Sequence, residues 1–240
     1  FPTAQDAESA LARMACPVWW MRALRKQQDR QQEQLAVQVG LVRKGQQAYV
    51  TTALLERMQA RHQASLEMLA NYEAVSNEGD TLNLLEVLKK SVANPKIRRQ
   101  ELEVRMRGSE AYATEQGHIA MFYTLTTPSK YHRYSGEGLN PKYAHATPRE
   151  AQAYLVKIWS QMRAKLKRDG MNVYGFRVAE PHHDGTPHWH ILLFMHPEHQ
   201  QAVTATLRHY AFLEEGQEAG AAKHRFEAIA IDRRRGSATS

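Results

Sequence analysis

EPHHDGTPHWHILLFM, from Glu180 to Met195, is the stretch whose reading decides the fold of this 240-residue chain. It closes on an apolar run with strand-forming character and opens on a polar loop. Where the two meet stands His188-Trp189-His190. Alternate side chains of a β-strand share a face, so the two imidazoles point one way, about 7 Å apart along the strand, and Trp189 points the other. Asp184-Gly185, inside the loop from Pro181 to Pro187, is a hairpin signal. It folds residues 174–180 back as the partner strand and sets Glu180 roughly opposite His188. Two neutral ring nitrogens and one carboxylate oxygen form a borderline-to-hard divalent site with open positions, the kind that acts on a substrate. His182 and His183 compete as ligands but fall in the loop, where geometry is less fixed. The spacing therefore favours Glu180, His188 and His190.

Composition sets the surroundings of that site. Hydrophobic residues make up 42% and charged residues 24%, ordinary for a globular protein with a sizeable core. No apolar run approaches the ~20 residues of a membrane span, and the Met14–Leu24 stretch is too charged to be a secretory signal. One cysteine, Cys16, excludes a disulfide framework and suits a reducing cytosol. The formal charge is +7. The basic excess is concentrated after residue 116, where every histidine except His62 also lies. Such an excess favours a polyanionic partner.

The first 116 residues read as mostly helical. One helix is expected over residues 8–39 with Gly40 past its end. The Trp19-Trp20 pair with Leu24 reads as a packing anchor, or alternatively as a base-stacking surface. A second helix runs from a Thr51 or Thr52 cap to about Ala74, a third over 82–92 after an Asp80 cap, and a fourth begins at Asn94-Pro95. Lys96, Arg98, Arg99, Arg105 and Arg107 are either a solvated helix face paired with Glu101 and Glu103 or a phosphate-contacting surface.

After Gly117 the pattern changes. His118 to Thr126 is rich in strand formers. The loop that follows interleaves Lys130, Tyr131, His132 and Arg133, the composition of a groove for single-stranded nucleic acid, though an ordinary polar loop shares it. Thr147-Pro148-Arg149-Glu150 is a capping box opening a helix that ends at Gly170. The hairpin strands, a helix over 197–213 and a last strand over 225–231 complete the order strand, helix, strand, strand, helix, strand. A hairpin inside that order makes an antiparallel α+β sheet, not a doubly wound parallel one.

Four motifs in sequence carry a resemblance. They are Cys16-Pro-Val-Trp-Trp-Met-Arg22, Ser91-Val-Ala-Asn-Pro95 followed by Arg98-Arg-Gln-Glu-Leu102, Phe122-Tyr-Thr-Leu-Thr126 with Pro128-Ser-Lys-Tyr-His132, and Glu180-Pro-His182 with Asp184 to His190. Together they resemble the bacteriophage replication gene A proteins, within the HUH endonucleases named for two His flanking an apolar residue. The resemblance implies a five-stranded antiparallel sheet in residues 117–240, flanked by helices and preceded by a helical region over 1–116. It implies Mg²⁺ or Mn²⁺ held by His188, His190 and Glu180, and nicking of single-stranded DNA at a phage replication origin through a 5′-phosphotyrosine. It further implies a bacterial cytoplasm as the location. The helical region over 1–116 is open to three roles: recognising the duplex origin, contacting a host helicase or polymerase, or only supporting the nuclease. In that family the nucleophilic tyrosine follows the last strand and a Gly- and Ser/Thr-rich turn. Here the turn is residues 233–240, so the chain starting at Phe1 reads as a fragment whose nucleophile is expected after Ser240. Lys130, Tyr131, His132, Arg133, Arg98, Arg99, Arg105 and Arg107 are the expected DNA contacts. A non-catalytic DNA-binding module with structural histidines is the alternative, and a small-molecule metallohydrolase using Zn²⁺ a more distant one.

Overall fold

A computed structural model of the chain describes residues 4–135 and 138–231; Phe1 and the turn over 233–240 lie outside them. The first half contains helices α1 (Ala4–Met14), α2 (Pro17–Gln38) and α3 (Thr52–Ala70), a small hairpin β1 (Glu73–Val75) and β2 (Thr81–Asn83), then α4 (Leu84–Lys90) and α5 (Pro95–Glu115). The helix expected over 8–39 is broken in two. Pro17 lacks an N–H and pushes the residue before it out of the helical region, and Cys16 sits extended at φ −94, ψ 109. The helix expected over 82–92 is also corrected. Gly79, at φ +89, lets residues 76–80 close a tight turn, so Thr81–Asn83 pairs with Glu73–Val75 before any helix can start. Asn83, not Asp80, then caps α4 by accepting from the N–H groups of Leu85 and Glu86.

The Trp19-Trp20 pair is not a core anchor. Its rings meet edge to face at 4.9 Å, Trp20 donates to the Met14 carbonyl, and both rings stay substantially exposed with Leu24. Few side chains of this half are buried: Ala36, Val37 and Val42 form a small cluster of their own.

The second half holds β3 (Ile119–Leu125), a two-residue hairpin β4 (Tyr134–Ser135) and β5 (Gly138–Leu139), α6 (Pro148–Arg168), β6 (Val173–Pro181), β7 (Pro187–Met195), α7 (Gln200–Ala211), α8 (Ala221–His224) and β8 (Phe226–Ala230). The capping box forms as read: Glu150 N–H donates to Thr147 Oγ1 and Thr147 N–H to Glu150 Oε2. The main sheet has the order β6-β7-β3-β8, every pair antiparallel. Four strands answer the order read from the residues; the fifth implied by the resemblance has no counterpart among the described residues. In the loop after β3, Tyr134–Ser135 pairs with Gly138–Leu139 in a separate two-stranded sheet instead of joining the main one. The Asn140 amide donates to the carbonyls of Ser129 and His132 and ties that loop into a small closed unit.

The two faces of the sheet differ. On one, Met121, Tyr123, Leu125, Trp189, Ile191, Leu193 and Met195 pack against α6 and α7. Burying each large aliphatic side chain contributes roughly 1.5–3 kcal/mol, which makes this layer the main stabilising element. Trp189, fully buried, donates its indole N–H to Gln152. The other face carries Ala120, Phe122, Leu192 and Phe194, and α5 covers it through Ala113. That cover stops short of the loop end of β7. There the same face continues as His190 and His188.

Candidate metal centre

Register brings the three expected ligands together. Glu180 pairs with His188, Val178 with His190, and Thr124 of β3 with His190 from the other side. The side chains converge further than the strand spacing requires. His188 Nε2 lies 3.0 Å from His190 Nε2, and Glu180 Oε2 lies 3.5 Å from the same His190 nitrogen. One ligand atom from each of the three residues falls within 4.8 Å of the other two. Two nitrogens bound side by side to one divalent ion at about 2.1 Å, at a right angle, stand roughly 3.0 Å apart. The donor set therefore fits a metal. The supporting contacts fit as well. When His190 Nδ1 donates to Thr124 Oγ1 at 3.2 Å, its Nε2 lone pair is left free, and Phe122 stacks on the ring at 5.3 Å. His188 Nδ1 is buried without a hydrogen-bond partner among the described residues.

A second row of polar groups backs the first, and sequence reading did not assemble it. The His182 ring lies 4.1 Å from that of His188, and the His132 ring lies 5.0 Å from that of His182. His132 Nδ1 approaches Asp184 Oδ2 at 3.4 Å, while its Nε2 meets Thr127 Oγ1 at 3.0 Å. His132 comes from the loop after β3 and the others from the hairpin turn. Only folding brings them together, and no spacing in the sequence announces it. Burial raises the Asp184 carboxyl, but hydrogen bonding to His132, its charge, and bonds from Thr186 outweigh that and hold it below the usual carboxylate range. Burial, then the neighbouring His188 and His132, push His182 down to about 4. Burial and then His190 lower His188 in the same direction.

These shifts predict acid sensitivity. A histidine whose folded pKa lies below its unfolded value of about 6.5 gains a proton on unfolding, so acid favours the unfolded state. The metal-free chain should be unaffected above pH 6.5 and lose stability as pH falls from 6.5 to 4. His182 contributes on the order of 2 kcal/mol once its partial exposure is discounted. Urea melts at pH 7, 5.5 and 4 test this. An equally steep loss in His182→Gln would refute the assignment.

The expected DNA contacts are dispersed. Lys130 is ion-paired with Glu214, Tyr131 packs on Tyr154 at 5.3 Å, and His132 is engaged by Asp184. The Arg133 guanidinium lies over the rings of Tyr134 and Tyr143 at 5.7 and 5.9 Å. His132 also lines a cleft of about 530 Å³ beside the turn, with Arg43, Lys44, His183 and His224 on its walls. On α5, Arg99 pairs with Glu103 and Arg105 with Glu101, both exposed. Arg98 and Arg107 have no ion-pair partner among the described residues. No helix among the described residues is long and apolar enough to cross a membrane.

Residues 2–240 match the family described as bacteriophage replication gene A protein. The chain is 47% identical over 236 residues to a probable replication protein P12 of Pseudoalteromonas phage PM2, covering 98% of this chain and 36% of that protein. It is 40% identical over 237 residues to the replication gene A protein of Escherichia phage P2, covering 94% and 31%. A probable replication endonuclease from a prophage-like region of Shigella boydii is 39% identical over 233 residues, covering 96% and 29%. The chain thus spans about a third of the length of these relatives. No solved structure matches it.

Proposed function

We propose, from the premise that this chain belongs to the bacteriophage replication gene A protein family, that it carries the metal centre of a DNA-nicking endonuclease that initiates phage genome replication. The carrying observation is the convergence of His188 and His190 to 3.0 Å beside Glu180, at the uncovered end of the sheet. Relatives named as replication endonucleases support the same reading. A divalent ion, Mg²⁺ or Mn²⁺, supplies Lewis-acid polarisation of a scissile phosphate when bound there. The chain's own groups orient the site. Thr124 holds the His190 ring through its Nδ1, the hairpin register presents Glu180, and Trp189 anchors the strand from behind.

The nucleophile in this reading is a tyrosine following Ser240. Of the described tyrosines, Tyr123 is fully buried on the opposite face, bonded to Thr204, and Tyr210 packs against the α6–α7 core. The reaction is attack of that tyrosine on a phosphodiester of single-stranded origin DNA, leaving a 5′-phosphotyrosyl link and a free 3′-OH. Residues 117–240 are the endonuclease module in this reading and 1–116 the accessory region, with α5 crossing between them to cover the sheet. The setting is the cytoplasm of the bacterial host.

The test is adduct formation. Protein extended past Ser240, given Mn²⁺ and a panel of single-stranded origin sequences, should yield a covalent protein–DNA species that His188→Ala abolishes. If no adduct forms, and DNA binding is indifferent to EDTA and to His188→Ala, the chain is a binding module with structural histidines.

A further inference from the structure

A second basic feature borders the hairpin turn and includes none of the three metal ligands. Arg22, Arg25, Lys26 and Arg30 fall at positions that recur every three to four residues, so one face of α2 presents them as a stripe. Arg61 of α3 and Arg149 at the start of α6 join that stripe around a groove of about 990 Å³. Acidic residues in the groove are already engaged. Asp29 pairs with Arg61 at 2.8 Å and Arg57 at 3.5 Å, and Glu33 accepts from the backbone N–H and hydroxyl of Thr51. Arg22, Arg25, Lys26, Arg30 and Arg149 have no ion-pair partner among the described residues. The floor is different in kind: Val37, Val50, Leu54 and Met58 line it.

We infer that this groove binds a segment of single-stranded DNA, with the phosphates on the basic rim and the bases toward the apolar floor. A basic track beside an apolar surface is what unpaired nucleotides need, because their backbone is anionic and their base faces are apolar. A duplex keeps its bases stacked inside and would meet only the rim. Position supports the assignment. Gly185, in the turn between Glu180 and His188, lines the groove, and the Tyr49 N–H donates to the His183 carbonyl while the Tyr49 ring stacks on His183 at 5.1 Å. The groove therefore reaches the turn that joins the two ligand-bearing strands, so a single strand lying in it ends beside that turn. This inference rests on the proposed function for its ligand, but the groove is separate from the metal site.

The experiment measures binding of a labelled thirty-nucleotide oligothymidine to the chain by fluorescence anisotropy, in EDTA, across 50 to 300 mM KCl. The variant Arg22→Ala/Arg25→Ala/Arg30→Ala should bind at least tenfold more weakly, and its salt slope should fall by about 2, three lost phosphate contacts at about 0.7 each. Lys157→Ala/Arg163→Ala/Lys167→Ala on α6 removes equal charge and should stay within about twofold of the parent. Lys26→Glu/Arg149→Glu, read the same way, replaces the groove triple if thermal melts show that it misfolds. Equal loss in the α6 variant, or parent-like binding by the groove variant, would overturn the groove. A blunt duplex of the same length losing as much as the single strand would overturn the single-strand assignment. Failure of the parent to bind in EDTA would also overturn the groove and leave the metal-centre reading standing on its adduct assay.

Discussion

Mn²⁺ binding to the chain, followed by electron paramagnetic resonance, is expected to weaken at least a hundredfold in His188→Ala and in His190→Ala. Each change removes one of only two nitrogen donors from a three-ligand set. Replacing a group that merely orients a ligand costs 10–100-fold, so loss of a ligand sets in at or above that range. Thr124→Val supplies the internal comparison. It keeps the shape and removes the hydroxyl that meets His190 Nδ1, and should cost about tenfold. Glu180→Gln keeps an oxygen but loses the charge and should fall between the two. The order expected is therefore His variants worst, Glu180→Gln next, Thr124→Val mildest. Affinity within threefold of the parent for His190→Ala would remove the metal centre from the account.

Gly175→Ala is expected to destabilise the chain by about 3 kcal/mol, lowering the melting temperature by roughly 10 °C. Gly175 lies on β6 at φ +149, a conformation L side chains rarely adopt. A Cβ there would also be driven into the Leu192 carbonyl across the β6–β7 pair. The chain can relieve that clash only by moving β6 relative to β7. The same pairing sets Glu180 opposite His188 five residues on, so the variant should also bind Mn²⁺ more weakly at temperatures where it remains folded. A melting temperature within 2 °C of the parent would show that the close approach is not needed.

Much of the site was legible because β-strand periodicity is local. The alternation of His188, Trp189 and His190 assigns their faces without further information, and Asp184-Gly185 fixes the turn and with it the register to Glu180. Helix α6 was equally plain, since its cap and its apolar spacing lie within one segment. Reading was weakest where local signals compete. Asp80 and Asn83 are both good caps, and only pairing of Thr81–Asn83 with Glu73–Val75 chose between them. Lys130 looked available for DNA because its partner Glu214 lies 84 positions away. The basic stripe of α2 was not singled out from the sequence, because its meaning depends on Asp29 and Glu33 being occupied by α3 and its cap.

The sequence by itself determined the hairpin, the two faces of β7, the helix starts marked by Asn94 and Thr147, and the identity of the three candidate ligands. These follow from steric rules and hydrogen-bond capping that act within a few residues. Only the tertiary structure decided which end of the His-bearing face stays open, since that depends on how far α5 reaches across the sheet. It also decided that the two imidazoles turn inward to 3.0 Å, and that His132 arrives from another strand's loop to stand behind them. Side-chain convergence of this kind is set by packing between segments remote in the chain, and no local pattern carries that information.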